Sequence, residues 1–313
     1  MVPQTASASR WLLRLGGLVV ALGGCAGDDG GDDPGTPASP LTPLPSYDCL
    51  VDTDCQAHMV AAHRGFHLDR PENSLAALRA AAELGASFAE IDVRHTADGV
   101  LVVIHDDTVD RTTDGSGEVE AMSYAEIAQL RLTGAPSDAA EDARVPRFVD
   151  ALDLAQELEM MLYVDQKTDR ADLVTDGIAQ GPYYDVALVR DSLAAISALH
   201  QLDAQVLVMP AVETETELAE AQGQIDGLLI VELASPTPDE AFGAAATQLG
   251  IKVQQDVMLG GDVSAHFGDY GGYQTFVAAG VALMQTDLPD LLVPAVRELN
   301  ETGVLPAEGP GRF

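Results

Sequence analysis

From His58 onward, short apolar runs alternate with longer stretches in which apolar residues recur at helical spacing. Short runs bounded by turn residues read as buried strands. Eight of them follow one another, at 60–63, 88–94, 161–166, 186–190, 206–210, 227–233, 251–257 and 282–286. Between them the pattern predicts helices. One spans 74–84 and is closed by Gly85, and another starts at Ser123, where Ser-x-x-Glu ending in Glu126 makes a capping box. A further apolar run at 100–105 follows Asp98-Gly99 so closely that it must fold back on 88–94 as a hairpin, outside the series of eight. Strands alternating with helices imply parallel pairing with helical crossovers. The segment 58–304 has the length typical of a (β/α)8 TIM barrel, roughly 250 residues. An open doubly wound sheet is the competing architecture, but no Gly-x-Gly-x-x-Gly follows an early strand, which argues against a dinucleotide site.

The chain before this region follows different rules. Arg10 and Arg14 precede a short apolar run at 15–24, too short to span a bilayer at roughly 20 residues per crossing. The run ends in Leu22-Gly23-Gly24-Cys25, which resembles a bacterial lipoprotein cleavage box and makes 1–24 a signal peptide with Cys25 as the lipidated residue. The competing reading is an ordinary secretory signal with an incidental cysteine. Residues 26–46 are built from Gly, Asp, Pro, Ser and Thr and cannot bury a core, so 25–57 is expected to be a tether. It carries Cys49 and Cys55, an even pair in an exported protein and therefore a disulfide staple. Residues 305–313 form a C-terminal tail. The expected location is outside the cytoplasm, attached to a membrane through the lipid only.

Charge narrows the partners. Sixteen Lys and Arg face 50 Asp and Glu, a net charge of −34, within a composition that is 47% hydrophobic. The acidity is thus worn by a packed protein and not by a disordered one. It argues against nucleic acid, which is bound by clustered Lys and Arg, and against anionic headgroups. Only two lysines occur, Lys167 and Lys252.

In a parallel barrel, chemistry sits at the C-terminal strand ends. The first strand here ends in His63-Arg64-Gly65, the second carries Glu90-x-Asp92, the hairpin strand ends in His105-Asp106, and the next ends in Asp165-x-Lys167. Residues two apart on a strand share a face, so Glu90 pairs with Asp92 and Asp165 with Lys167. Three carboxylates from two strands make an oxygen-only set suited to one hard divalent cation, Mg²⁺ or Ca²⁺. Histidines titrate near neutral pH, and Arg64 and Lys167 add fixed positive charge. An anionic, oxygen-rich substrate such as a phosphodiester would use all three features. Each element alone has a bland reading, as a hydrogen-bonded histidine, a chance acidic pair or a solvated lysine. Their joint placement on successive strand ends gives the set its weight. His67, in the loop after the first strand, is within reach of a substrate, whereas His58, His95, His200 and His266 read as structural or incidental.

These residues also carry a resemblance. His63-Arg64-Gly65, Pro71-Glu72-Asn73-Ser74, Glu90-Ile91-Asp92-Val93, Asp98-Gly99, the run from His105 to Thr113 and the closing Gln285-Thr286-Asp287-Leu288-Pro289 are together similar to the glycerophosphodiester phosphodiesterase family, densely over 58–132 and more sparsely to about 299. The resemblance implies a (β/α)8 barrel of the kind shared with phosphatidylinositol-specific phospholipases, with a small insertion at about 107–147. It implies metal-dependent hydrolysis of glycerophosphodiesters to glycerol 3-phosphate and an alcohol. His63 and His105 match the acid/base pair, Glu90 and Asp92 match metal ligands, Arg64 and Lys167 match substrate-phosphate contacts, and Glu72 matches a supporting glutamate. The third ligand in that family is usually the Glu of a Glu-x-Lys motif, whereas here it is Asp165. Asp is shorter by one methylene, so the ligand set must contract or a water must intervene. Sphingomyelinase D-like relatives carry Asp there, which keeps a phospholipase D-like activity on lysolipids or sphingolipids open. Two alternatives of another kind are a catalytically silent tethered binding module and a surface protein whose acidic face recognises a basic partner.

Overall fold

The computed structural model describes residues 42–134 and 143–312. The expected signal peptide and Cys25 lie outside the described residues. Among the described residues nine strands form one sheet: β1 Met59–Ala62, β2 Phe88–His95, β3 Leu101–Val103, β4 Met161–Gln166, β5 Ala187–Ser192, β6 Leu207–Val212, β7 Ile230–Leu233, β8 Lys252–Asp256 and β9 Val281–Thr286. Their order is β1-β9-β8-β7-β6-β5-β4-β2-β3, and a parallel pairing of β1 with β2 closes the eight parallel strands into a barrel. Each strand expected from the apolar runs is present, with ends displaced by a few residues. The largest displacement is at β7, which begins at Ile230 because Gly227 takes φ 72° in the preceding turn.

The hairpin has a geometric cause. β1 pairs with β2 only through Ala61↔Phe88 and Ala62↔Ala89, which leaves the rest of that edge of β2 open. β3 fills it antiparallel, with Val93↔Val103 and His95↔Leu101 in register. The insertion after β3 then builds its own small core from Val109, Val119, Ile127, Leu132 and Val145 against Val102 and Ile104. The helix Leu75–Leu84 starts at Ser74, whose hydroxyl accepts from Ala77 N, and stops at Gly85 at φ 84°. The capping box of Ser123 and Glu126 forms as expected.

The barrel interior is layered. Met59, Ala61, Phe88, Met161, Tyr163, Leu188, Met209, Ile230 and Leu283 fill its lower part, and the short helix Tyr47–Val51 plugs the floor with Cys49 and Leu50. Cys49 and Cys55 are bonded, with their Cα atoms 5.3 Å apart. The last part of the expected tether is docked as well. Leu44 is buried, its N–H bonds Gly85 O at 2.9 Å, and Arg297 bonds Thr42 O at 2.6 Å. The tail is likewise held, by Arg312 on Asp290 and by pairing of Asp269 with Glu308. No helix among the described residues is long and apolar enough to cross a membrane.

Because the staple closes a short loop beneath the floor plug, Cys49→Ala/Cys55→Ala is expected to lower the free energy of unfolding by about 2 kcal/mol. Urea denaturation would read this as a lower midpoint, and an unchanged midpoint would show that burial of Leu50 alone holds the plug.

Candidate active site at the barrel mouth

Above the apolar floor the inward positions turn polar along each strand. Phe88 is followed by Glu90 and Asp92, Tyr163 by Asp165, Leu188 by Arg190, Ile230 by Glu232, and Leu283 by Gln285, each two residues further on. Asp92 and Asp165 stand directly opposite each other in register across β2 and β4. Glu90, Asp92 and Asp165 each offer a carboxylate oxygen, and all three oxygens lie within 4.8 Å of one another. The shorter Asp165 side chain thus reaches the cluster through strand register. Glu90 and Asp92 are 2% and 1% exposed. An oxygen-only set of this size fits a hard divalent cation.

Donors from the loop after β1 hold two of these acids. Arg64 N–H donates to Glu90 Oε2 at 2.8 Å. Asn73 grips Asp92 twice: its amide donates to Oδ2 at 2.8 Å, and its carbonyl accepts from Asp92 N at 3.1 Å. Both Arg64 and Asn73 adopt positive φ, 54° and 57°, conformations that cost energy and persist where the surroundings fix them. Gly65, at φ 73°, is required between them and the next helix, since a Cβ there would meet the Ala77 backbone at 2.7 Å.

Fixed cations surround the cluster. Lys167 Nζ lies 2.5 Å from Asp165 Oδ2 and 3.5 Å from Asp92 Oδ1, Arg64 Nε is 3.6 Å from Asp92 Oδ2, and Arg190 donates to Asp165 Oδ1 at 3.3 Å and also pairs with Glu232. Burial, then repulsion from Asp92 and Asp165, pushes the Glu90 carboxyl well above the ordinary carboxylate range, despite the Arg64 N–H. Burial alone would pull Lys167 down, but the carboxylates of Asp165, Asp92 and Glu90 outweigh it and hold the ammonium above its ordinary value. Lys167 and Arg64 are therefore first of all counter-charges to the cluster.

Each of the two histidines is anchored by an aspartate. His63 Nδ1 meets Asp287 Oδ1 at 2.7 Å, with its Nε2 4.0 Å from Glu90 Oε2. His105 Nδ1 meets Asp106 Oδ1 at 2.7 Å. Arg111 joins Asp106 to Glu72, at 2.7 and 2.6 Å, and Glu72 accepts from Arg64 Nη1 at 2.9 Å, so a continuous charged chain runs from His105 to the loop beside Glu90. Burial opposes ionisation of Glu72, but Arg111 and Arg64 outweigh it and lower its carboxyl. His67 stacks edge-on to His63 with ring centres 5.7 Å apart, and its Nδ1 pairs with His63 O at 2.9 Å. His58 and His95 serve elsewhere, on Val281 O and Thr168 Oγ1.

Four mouth residues were not singled out in the sequence, Arg190, Glu232, Asp256 and Asp262, while Asp287 and Arg111 stood within the resemblance motifs with no role assigned. Alternation on β5 and β7 could have found Arg190 and Glu232, two positions beyond Leu188 and Ile230. Asp262 carries no such signal. It lies in an irregular helical turn after β8, where it accepts from Tyr273 and Thr286 hydroxyls at 2.6 Å and from Asp287 N at 2.7 Å, thereby setting the aspartate that anchors His63.

A closed parallel barrel with a carboxylate cluster, fixed cations and aspartate-anchored histidines at its C-terminal mouth defines a (β/α)8 protein equipped for an anionic oxygen-rich ligand. The sequence model of the glycerophosphoryl diester phosphodiesterase family matches residues 63–254, more than half of the chain, and the chain belongs to that family. It is 39% identical over 110 residues to a glycerophosphodiester phosphodiesterase of Caldanaerobacter subterraneus, covering 35% of this chain and 45% of the relative. To human glycerophosphodiester phosphodiesterase 1 it is 51% identical over 69 residues, 22% of this chain and 21% of the relative. The chain thus matches less than half the length of these curated relatives. Among solved structures, a glycerophosphodiester phosphodiesterase from Agrobacterium tumefaciens superposes with TM-score 0.60 at 25% identity, over 76% of this chain and 99% of that one. An Oleispira antarctica phosphodiesterase, solved with its product sn-glycerol-3-phosphate, gives 0.65 at 22% identity over 77% and 96%.

A carboxyl whose folded value is raised contributes stability below its unfolded value and loses it as pH rises through the folded one. Stripped of divalent cations, the protein is expected to give up the Glu90 contribution as pH rises beyond the ordinary carboxylate range, and Mg²⁺ or Ca²⁺ should restore it. Thermal unfolding would show a cation-dependent rise in Tm that Glu90→Gln removes; a rise of equal size in the variant would exclude Glu90 as a ligand.

Proposed function

We propose that the chain hydrolyses glycerophosphodiesters to glycerol 3-phosphate and an alcohol, with one divalent cation held by Glu90, Asp92 and Asp165. The observation that carries this reading is the meeting, at one end of the barrel, of the three-carboxylate cluster with two histidines whose Nδ1 atoms are each tied to an aspartate. A bound cation would supply positive charge for the phosphodiester in a site otherwise rich in acids.

The remaining work falls to side chains. With Nδ1 engaged by Asp287 in His63 and by Asp106 in His105, Nε2 of each ring is the atom free to exchange a proton. One histidine removes the proton of the glycerol 2-hydroxyl as that oxygen attacks phosphorus in line. The other protonates the departing alcohol oxygen as its bond to phosphorus breaks, leaving a 1,2-cyclic phosphate. Water then opens the ring with the two roles reversed. Arg64 and Lys167, already positioned by the carboxylates, would bind the phosphate oxygens, with Glu72 orienting Arg64. The export signal motif and Cys25 support the further proposal that the protein works outside the cytoplasm as a lipoprotein, anchored by its lipid alone.

Release of glycerol 3-phosphate from glycerophosphoethanolamine should be abolished by EDTA and restored by Mg²⁺ or Ca²⁺. His63→Ala and His105→Ala should each lower turnover by roughly 10²- to 10⁴-fold, and near-normal rates in both would sink the assignment. Asp165→Asn should raise the cation concentration needed for half-maximal rate; an unchanged titration would take Asp165 out of the site. For the anchor, Cys25→Ser should move the protein from the membrane fraction to the soluble one, and continued membrane association would overturn lipidation at that residue.

A further inference from the structure

Among the acids on the inward face of the strands, Glu90, Asp92, Asp165, Glu232 and Asp287 each have a basic side chain within 4.0 Å. Asp256, at the end of β8, forms no ion pair among the described residues; His63 and Arg190 act on it only from beyond ion-pair distance. Its one side-chain donor is the amide of Gln254, at 3.1 Å. Around it the lining is rich in acceptors. Gln254 and Gln285 point to the same interior face, both are buried, and Oε1 of each meets no donor. A buried acceptor without a donor and a carboxylate without a cation are both costly.

Asp256 also borders a cavity of about 310 Å³ that it shares with Glu232, walled by Leu233, Ala234, Pro236, Met258 and Leu259. Glu232 lines this cavity and is linked through Arg190 to Asp165 of the carboxylate cluster. Leu259 is 77% exposed, an unusual position for a large apolar side chain beside a polar site. An inositol or glycerol alcohol would lose hydroxyl hydration against these walls. A bare acyl chain would leave Asp256 without a partner.

We propose that this cavity receives the leaving alcohol of the substrate and selects one that carries a methylated ammonium group, of the choline type, with Asp256 facing the charge and Leu233, Pro236, Met258 and Leu259 packing against the methyl groups. The inference rests on the phosphodiesterase reading above and adds the alcohol to it. A cation in this place would offset the burial that raises the Asp256 carboxyl. Methyl groups would meet the apolar walls, and the acceptors of Gln254 and Gln285 would face a positive field in place of a donor.

The test compares glycerophosphocholine with its uncharged carbon isostere, glycerol 3-(3,3-dimethylbutyl phosphate), which has the same shape. The kcat/KM ratio should favour choline by about tenfold in the natural protein, the order expected of one partly screened charge pair, and should fall to about one in Asp256→Asn. A ratio near one in the natural protein, a preference for the isostere, or a ratio unchanged by the substitution would overturn the proposal while leaving the phosphodiesterase reading intact. Should neither ester be hydrolysed, that reading fails, and the cavity is judged separately. Tetramethylammonium should then shift the Met258 methyl resonance of the natural protein, identified by its loss in Met258→Leu, and the absence of a shift would overturn the inference.

Discussion

Mutual repulsion among Glu90, Asp92 and Asp165 is the constraint around which the barrel mouth is arranged. Three carboxylate oxygens within 4.8 Å of one another, two of them on nearly inaccessible side chains, are stable only if donors and positive charge are supplied from every side. The structure supplies donors from the Arg64 backbone and the Asn73 amide, and charge from Lys167, Arg64 and Arg190. Strained backbone at Arg64 and Asn73 delivers the first, and Gly65 lets the loop lie flat on the helix that begins at Leu75. Strain, close approach and charge are thus parts of one solution.

The same constraint explains how parts remote in sequence are brought together. Asp262, beyond β8, fixes Asp287, beyond β9, and Asp287 fixes His63, beyond β1. On the opposite rim, the insertion presents Arg111 to both Asp106 and Glu72, so that His105 and Arg64 share one network. The apolar floor, plugged by Leu50 and stapled at Cys49, keeps the layer beneath these charges dry, which strengthens every interaction above it.

Legibility in the sequence followed the range of the interactions concerned. The strands were readable because burial on both faces leaves continuous apolar runs, and the Ser123–Glu126 cap because it is local. Glu90, Asp92, Asp165 and Lys167 were readable because a period of two puts them on one face at strand ends. The same period held for Arg190 and Glu232, yet a lone charge two residues past an apolar one is common in a chain with 50 acids. Asp262 was not readable at all, since its partners Tyr273, Thr286 and Asp287 come together only when the barrel closes. The docking of Leu44 escaped for a related reason: a residue within a Pro-rich stretch gives no periodic signal, and its partner is the loop at Gly85.

Net charge sets the terms on which a ligand can approach. At −34 the chain repels an anion at a distance, but in physiological salt that repulsion is screened beyond roughly 8 Å. An anionic phosphodiester would therefore be held by what lies within that range, and one of the only two lysines, Lys167, stands inside the mouth with Arg64 and Arg190. Because the same cations are committed to Asp92 and Asp165, their pull on a phosphate is reduced unless further positive charge enters the cluster. A phosphodiester that brings a positive group of its own carries no net charge, feels little of the long-range repulsion, and presents to the mouth the charge that its acids leave unmatched.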